Sequence, residues 1–132
     1  MKKIVLCGSM AFIDKMRECS ETLLKMGFIP VVPDEDNWNE ISEAEINDYK
    51  AKVSRRHFDK IADKNTHSIL VINEAKSNAD NYIGANTFAE IVLAFYFGKE
   101  IYLLNNIYKP YSDELLAWGC QELNGNLSKI NA

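Results

Sequence analysis

Four short apolar segments of this chain are predicted to be buried strands. They cover residues 4–7, 28–32, 68–73 and 100–104. Their apolar residues follow one another without alternation, as is typical of strands that are covered on both faces. The second segment contains Pro30, which cannot donate a hydrogen bond to a neighbouring strand, so we expect this strand at an edge of the sheet.

Between these segments the apolar residues recur at helical spacing. Four helices are predicted, at residues 12–24, 45–62, 88–97 and, with a weaker pattern, 112–121. The first is followed by Gly27, a typical residue just past a helix end. The third is apolar on nearly every face, which predicts a buried helix. Residues 124–132 are expected to form a turn and extended chain.

Strands that alternate with helices indicate βαβ units and a parallel sheet. We therefore predict an α/β fold: a single-domain, three-layer sandwich over residues 1–132 with a flavodoxin- or Rossmann-like sheet of strand order about 2-1-3-4. The length fits one domain with its own core. In this order the connections reverse between the first and third strands, and ligands of such sheets bind at that point, beyond the carboxyl ends of the strands.

Two loops are expected to meet there. The first is Gly8-Ser9-Met10, which makes a tight turn or exposes backbone amides and a hydroxyl group to an anion. It has neither a GxGxxG pattern nor a P-loop lysine, so dinucleotide and nucleoside-triphosphate binding are weakly supported. The second loop, residues 74–86, is long for a connection between a strand and a helix, and such loops are often functional.

Glu90 is the only charged residue of the third helix before Lys99. Thr87 and Glu90 match the capping-box pattern, in which Glu90 would bond back to the Thr87 amide. A carboxylate in an apolar crevice can also act chemically, and the spacing alone leaves both interpretations open. A position near a helix amino terminus favours the ionised form of the carboxylate.

Other candidates are weaker. Trp38 follows the second strand and either stacks on a ligand ring or anchors its loop to the core. His57 and His67 are isolated histidines, which are more often surface or structural residues than catalytic ones. The acidic residues between positions 34 and 45 lack the spacing of a metal-binding loop and are interpreted as solvated.

The amino-acid composition limits the kinds of binding partner that we expect. The net charge is −4 and no basic block is present, which argues against binding to a nucleic-acid polymer. Cys7, Cys19 and Cys120 are an odd number without paired spacing, as expected for reduced cysteines of a cytoplasmic protein without a zinc site. No segment approaches the roughly 20 apolar residues of a membrane span. We expect no membrane association, no metal and no cofactor.

The motif around Glu90 resembles that of a known family. Residues 81–90 read N-Y-I-G-A-N-T-F-A-E, followed by Ala94 and by Gly98-Lys99 before a strand. This pattern resembles the nucleoside 2-deoxyribosyltransferase superfamily, which includes the 2′-deoxynucleoside 5′-monophosphate N-glycosidases. The Gly-Ser turn after the first strand, Ala62-Asp63 before the third and an Asn-Gly near the carboxyl end extend the resemblance over most of the chain.

The resemblance implies a mechanism and a set of site residues. Glu90 would be the nucleophile that attacks the anomeric carbon of a 2-deoxyribosyl group, and water or a second base would resolve the covalent glycosyl-enzyme. Asp80 would protonate the leaving base. The substrate, a nucleoside or nucleotide, would contact the following residues: Gly8, Ser9, Trp38, Tyr82, Gly84 and Asn86.

The chain also departs from the family pattern. The family commonly has an aromatic residue near the first turn and an Asp-Gly before the glutamate, whereas this chain has Cys7-Gly8-Ser9 and Asp80-Asn81. A non-catalytic nucleotide-binding or sensor domain on the same scaffold is therefore the alternative. The family further implies a homodimer or higher oligomer whose neighbouring subunits complete each pocket, and the apolar third helix could supply the interface.

Overall fold

The computed structural model describes residues 1–34 and 40–130. The strands are β1 (Lys3–Cys7), β2 (Ile29–Val31), β3 (Thr66–Val71), β4 (Glu100–Leu103) and β5 (Gln121–Glu122). The α-helices are α1 (Ile13–Lys25), α2 (Ile46–Ala62), α3 (Ala85–Tyr96) and α4 (Ser112–Ala117). Short 3₁₀ turns lie at Met10–Phe12, Lys109–Tyr111 and Leu127–Lys129.

The strands form one parallel sheet of order β2-β1-β3-β4-β5. The predicted α/β class, the order of the first four strands and the edge position of β2 are confirmed. The reversal between β1 and β3 is also present, since β1 has β2 on one side and β3 on the other. The loops that follow β1 and β3 therefore leave the sheet side by side.

The fourth predicted helix is too long. It ends at Ala117, and Gly119 adopts a left-handed backbone conformation, with φ of +72°, that turns the chain out of the helix. The Cys120 amide then donates to the Leu115 carbonyl at 3.0 Å. Gln121, the last residue of the predicted helix, instead belongs to β5, which pairs with β4 as an additional strand.

The sheet is covered on both faces, as the unbroken apolar segments predict. Ile4 and Leu6 of β1 face α1 and the carboxyl-terminal segment, and pack with Met16. Val5 of β1 faces the opposite layer and packs with Ile91 of α3. A parallel sheet between two helical layers buries alternate residues of each strand on opposite sides. The three-layer arrangement is confirmed.

The prediction that the third helix is buried on nearly every face was wrong. It buries one stripe toward the sheet, formed by Thr87, Glu90, Ile91 and Ala94. Its outer side exposes four large apolar residues: Val92, Phe95, Tyr96 and Phe97. The helix lies in an outer layer, so the sheet can cover only one side of it. Among the described residues, no helix combines the length and apolar character that crossing a membrane requires.

Candidate active site

A crevice opens where the chain leaves β1 and β3. It has a volume of about 120 Å³, and its walls include Gly8, Met10, Asp34, His57, Asn86 and Glu90. The loop after β1 forms one wall, and the start of α3 forms another. The position beyond the carboxyl ends of the strands is the one that the sheet order favours for a ligand.

Gly8 holds the ends of β1 and β3 together. Its φ is +154°, a backbone conformation that side chains disfavour, and a Cβ atom there would lie 2.9 Å from the Ile72 carbonyl oxygen. Beside it, the Ile72 amide donates to the Cys7 carbonyl at 2.8 Å. Glycine allows this close approach of two backbones. The loop after β1 is thereby held next to the chain that leaves β3.

The predicted capping box is wrong. Helix α3 begins at Ala85, with Gly84 as the N-cap residue and no side-chain cap. The Phe88 amide already donates to the Gly84 carbonyl at 2.9 Å, so helical bonding starts before Thr87. Glu90 is consequently the sixth residue of the helix. Its carboxyl group lies beyond the first turn and is directed into the crevice.

Glu90 instead contacts His57 of α2. Glu90 Oε2 lies 3.0 Å from His57 Nε2, and the two residues are only 4% and 7% exposed. The Cys7 sulfur, at the end of β1, lies 3.7 Å from the same imidazole nitrogen. Helices α2 and α3 pack against each other on one face of the sheet. That packing brings together two side chains that are 33 positions apart in the sequence.

Sequence reasoning missed His57, which it treated as a surface or structural histidine. One signal was available: His57 lies four positions before the buried Ile61, on the same side of α2. That spacing places His57 toward the core. It does not reveal the partner, which comes from a different helix.

Burial controls the ionisation of this pair. It raises the pKa of Glu90 to about 8. Burial, together with the charge of Lys60, lowers the pKa of His57 to about 4, although the Leu6 backbone and Asp34 act in the opposite direction. The sequence had suggested that the helix amino terminus keeps Glu90 ionised. It does not, because the helix-dipole effect fades beyond the first turn. At neutral pH the resting pair is a carboxylic acid beside a neutral imidazole.

Cys7, His57 and Glu90 are also the described residues that could hold a metal ion. Their donor atoms lie within 4.8 Å of one another, and cysteine, histidine and glutamate are all zinc ligands. Nevertheless, Nε2 already shares a hydrogen bond with Glu90. Burial, and then the nearby Glu90, raise the pKa of the Cys7 thiol well above its usual value. We interpret the cluster as a hydrogen-bonded pair beside a neutral thiol.

A second depression, the side hollow, adjoins the crevice and shares Gly8, Met10 and Asn86 with it. It measures about 240 Å³ and is otherwise lined by Ser9, Lys76, Tyr82, Gly84, Ala85 and Thr87. Lys76 Nζ donates to the Ser9 hydroxyl at 3.0 Å and lies 5.2 Å from the centre of the Tyr82 ring. An ammonium group and the uncapped first turn of α3 suit an anionic group.

The structure brings most of the proposed site residues together. Glu90 lines the crevice, Ser9, Tyr82 and Gly84 line the side hollow, and Gly8 and Asn86 line both.

Two proposed site residues are not brought to this place. Asp80 is exposed and lines a different depression, together with Asn81, Tyr108 and Lys109. Neither the crevice nor the side hollow includes it. Trp38 lies outside the described residues, so the structure gives it no position.

The fold is shared with a solved enzyme structure. The chain matches no protein-family model and no curated protein sequence. It is similar in structure to a 2-deoxyribosyltransferase from Bacillus psychrosaccharolyticus, with a TM-score of 0.56 and 18% identity over 76% of this chain and 70% of that one. A second similar structure is the CMP N-glycosidase BcmB of Clostridium botulinum, with a TM-score of 0.46 and 18% identity over 77% of this chain and 67% of that one. The first likeness confirms the fold that the resemblance implied.

Proposed function

We propose that this chain cleaves or transfers the N-glycosidic bond of a 2′-deoxynucleoside or its 5′-monophosphate, with Glu90 as the nucleophile. The observation that carries the proposal is the position of Glu90: a buried carboxyl group that reaches a crevice at the reversal point of the sheet. The enzyme from Bacillus psychrosaccharolyticus, which shares the fold, is a 2-deoxyribosyltransferase. That activity agrees with the motif from residue 81 to residue 90.

In this mechanism the Glu90 carboxylate attacks the anomeric carbon and the base departs. Water or a second base then attacks the covalent glycosyl-enzyme, as in retaining glycosidases. The transition state carries positive charge on the sugar ring. A carboxylate fixed beside that ring would stabilise the charge, and the burial of Glu90 strengthens this effect because little solvent screens it.

The side hollow provides the complementary part of the substrate site. The Ser9 hydroxyl and Lys76 ammonium are hydrogen-bonded to each other and lie near the first turn of α3. They would hold the 5′-hydroxyl or 5′-phosphate group. Tyr82 lies in the same wall and would frame the base, while Asn86 lies between the two depressions. Lys76 is an addition to the residues proposed from sequence.

One observation favours the alternative of a nucleotide-binding domain without catalysis. An acid for the leaving base is not evident among the described residues of the crevice. Asp80 lies elsewhere, and Asp34 accepts a hydrogen bond from Lys60 at 3.0 Å. A binding domain would show ligand-dependent thermal stabilisation without any product. An enzyme would instead release free nucleobase, provided that the nucleobase can leave without a side chain that protonates it.

The two functions are separated by incubating the protein with a panel of 2′-deoxynucleosides and their 5′-monophosphates. We expect free base, detected by chromatography, from at least one member of the panel. A second free base in the mixture distinguishes transfer, which gives a new nucleoside, from hydrolysis, which gives the free sugar. Absence of base release from every compound would exclude the enzymatic proposal.

The role of Glu90 is tested with the Glu90→Gln variant. The amide retains the shape of the side chain but cannot act as a nucleophile, so we expect turnover to fall by at least about 1,000-fold. Glu21→Gln, a change of the same type at an exposed position of α1, is the matched control and should keep full activity. Normal turnover in folded Glu90→Gln protein would rule out the nucleophile assignment.

A further inference from the structure

His57 makes the closest side-chain contact to Glu90 that the structure records, and the proposed mechanism so far gives it no task. We propose that His57 is a positioning residue that takes the proton from Glu90 as the carboxyl group attacks the sugar, and returns it when the glycosyl-enzyme is resolved. This inference rests on the proposed function of Glu90. It adds an internal proton acceptor on the nucleophile's side of the site.

The geometry isolates this exchange from solvent. Nε2 and Oε2 are 3.0 Å apart, the normal separation for a hydrogen bond between them, and both side chains are more than nine-tenths buried. A buried carboxyl group that ionises by releasing its proton to water leaves an uncompensated charge in a poorly solvated place, which is costly. Transfer to the adjacent imidazole avoids that state because the pair keeps the same total charge.

The other charged and titratable groups near the pair do not replace His57 in this task. Cys7 of β1 is a neutral thiol that lies 3.7 Å from Nε2. Lys60, one turn further along α2, donates to Asp34 at 3.0 Å, and Asp34, after β2, also lies 3.7 Å from Arg56. Asp34 thus pairs with both cations, and the three groups together carry a net charge of +1. None of them is recorded as a partner of the Glu90 carboxyl group, which is left with the imidazole.

The resting ionisation of the pair defines where the proton starts. With a pKa of about 8 for Glu90 and about 4 for His57, the carboxyl group is protonated and the imidazole is neutral at pH 7. The acid can then donate its proton to Nε2, so the neutral imidazole must carry its own proton on Nδ1, which is buried and has no recorded hydrogen-bond partner. Carboxylate with imidazolium has the same number of protons as this resting form. Because the carboxyl group has the higher pKa, this transfer is unfavourable at rest and takes place only as the bond to the anomeric carbon forms. It needs no exchange with water.

For hydrolysis, the proposed steps conserve protons and electron pairs. The proton moves from Glu90 to Nε2 while a carboxylate oxygen bonds to the anomeric carbon, and the electron pair of the broken C–N bond goes to the base nitrogen. A water molecule supplies the proton that this nitrogen takes, and its hydroxide then bonds to the anomeric carbon. The electron pair of the broken ester bond returns to Glu90, which recovers its proton from His57.

The test compares how turnover depends on pH in wild type and in His57→Gln. Glutamine can donate a hydrogen bond to Glu90 but cannot take its proton. In the variant Glu90 must release its proton to water. Below the pKa of Glu90 we therefore expect turnover to fall about tenfold for each unit by which the pH is lowered, and to be restored at about pH 9. Wild type should stay nearly constant between about pH 5 and about pH 8. A chelator in every assay excludes metal ions bound at the same donor atoms.

His67→Gln is the matched control, because His67 lies on β3 and has no recorded contact with Glu90. It should keep the wild-type profile. If His57→Gln lowers turnover by the same factor at every pH, His57 has only a structural role and the inference is wrong. If no compound releases base even with wild-type protein, the proposed function fails, and this role fails with it.

A measurement on the wild-type protein covers the case in which His57→Gln does not fold. Nitrogen-15 NMR of the imidazole distinguishes its two tautomers and its protonated form. At pH 7 we expect the His57 proton on Nδ1 and an unprotonated Nε2 that accepts a hydrogen bond. A proton on Nε2 with an ionised Glu90, or a free imidazole without a bonded partner, would overturn the inference.

Discussion

Glu90 combines a catalytic type of side chain with an environment that opposes its ionisation. A carboxyl group on the surface would be ionised at neutral pH and would contribute little in the transition state. Within the crevice the charge is costly at rest. In the proposed reaction it would become favourable when a positively charged sugar forms beside it, and such a difference between the two states is the source of electrostatic catalysis.

The same burial makes the stability of the fold depend on pH. The pKa of Glu90 rises from 4.5 to about 8 on folding, so between these values the folded chain holds a proton that the unfolded chain has lost. The stabilising contribution is complete below pH 4.5 and disappears as the pH rises to about 8. His57, with its pKa lowered from 6.5 to about 4, acts in the opposite direction between those two values.

The Glu90→Gln variant isolates the contribution of Glu90 to the pH dependence of stability, because the amide does not titrate. Relative to wild type, we expect the free energy of unfolding of the variant to increase by roughly 2–4 kcal/mol between about pH 5 and about pH 8. Urea denaturation at a series of pH values measures this difference. The exposed Glu21→Gln variant should follow wild type throughout. A difference that stays constant with pH would show that Glu90 has an ordinary pKa in the folded protein.

Single residues show where the sequence was informative. Glu90 could be selected because it is the only charge in an apolar helix that follows a polar, glycine-containing loop. His57 could not be paired with it, because their contact depends on how α2 and α3 pack. Asp80 was placed near Glu90 by its closeness in sequence, but the loop carries its side chain to another depression.

At the scale of elements, Gly8 decides how closely β1 and β3 approach each other. A methyl group at Gly8 would meet the Ile72 carbonyl at 2.9 Å, whereas at Gly27 nothing lies within 4 Å of it. Both glycines have positive φ values, so both substitutions by alanine strain the backbone. Only the change at Gly8 adds a steric clash at the crevice.

We therefore expect Gly8→Ala to lower the free energy of unfolding by about 1–3 kcal/mol more than Gly27→Ala does. It should also lower turnover, because the loop after β1 forms a wall of the crevice. Chemical denaturation and the base-release assay measure the two effects. Equal losses of stability in both variants would mean that the two strand ends can separate without cost.

The main elements were predictable because their signals are long. Each of the four strands is a continuous apolar segment, and Pro30 correctly indicated the edge of the sheet. The start of α3 was misplaced by three residues because Gly84 caps the helix without a side chain, so Thr87 offered a more conspicuous signal. Strand β5 has only two residues, too few for a hydrophobic pattern, and depends on its pairing with β4.

At the scale of the whole molecule, the outer side of α3 is an apolar surface in contact with solvent. Tyr96 is 80% exposed, Val92 and Phe95 lie on the same side of the helix, and Phe95 stacks on Trp118 with ring centres 5.2 Å apart. A cluster of large apolar side chains on a protein surface usually marks an interaction site. The expected homodimer, which remains a prediction, would cover this surface with the same helix of a second copy.

Tyr96→Glu tests this arrangement. Tyr96 is mostly exposed, so its replacement should leave the folded subunit intact, but in a symmetric interface it would place two like charges close together. We expect wild type to be dimeric or larger by analytical ultracentrifugation and the variant to shift toward the monomer. Leu24→Glu, at a 60% exposed position of α1 in the opposite layer, is the control and should assemble like wild type. A monomeric wild-type protein, or an oligomer indifferent to Tyr96→Glu, would show that α3 does not form the interface, and would require each crevice to work with the residues of one chain.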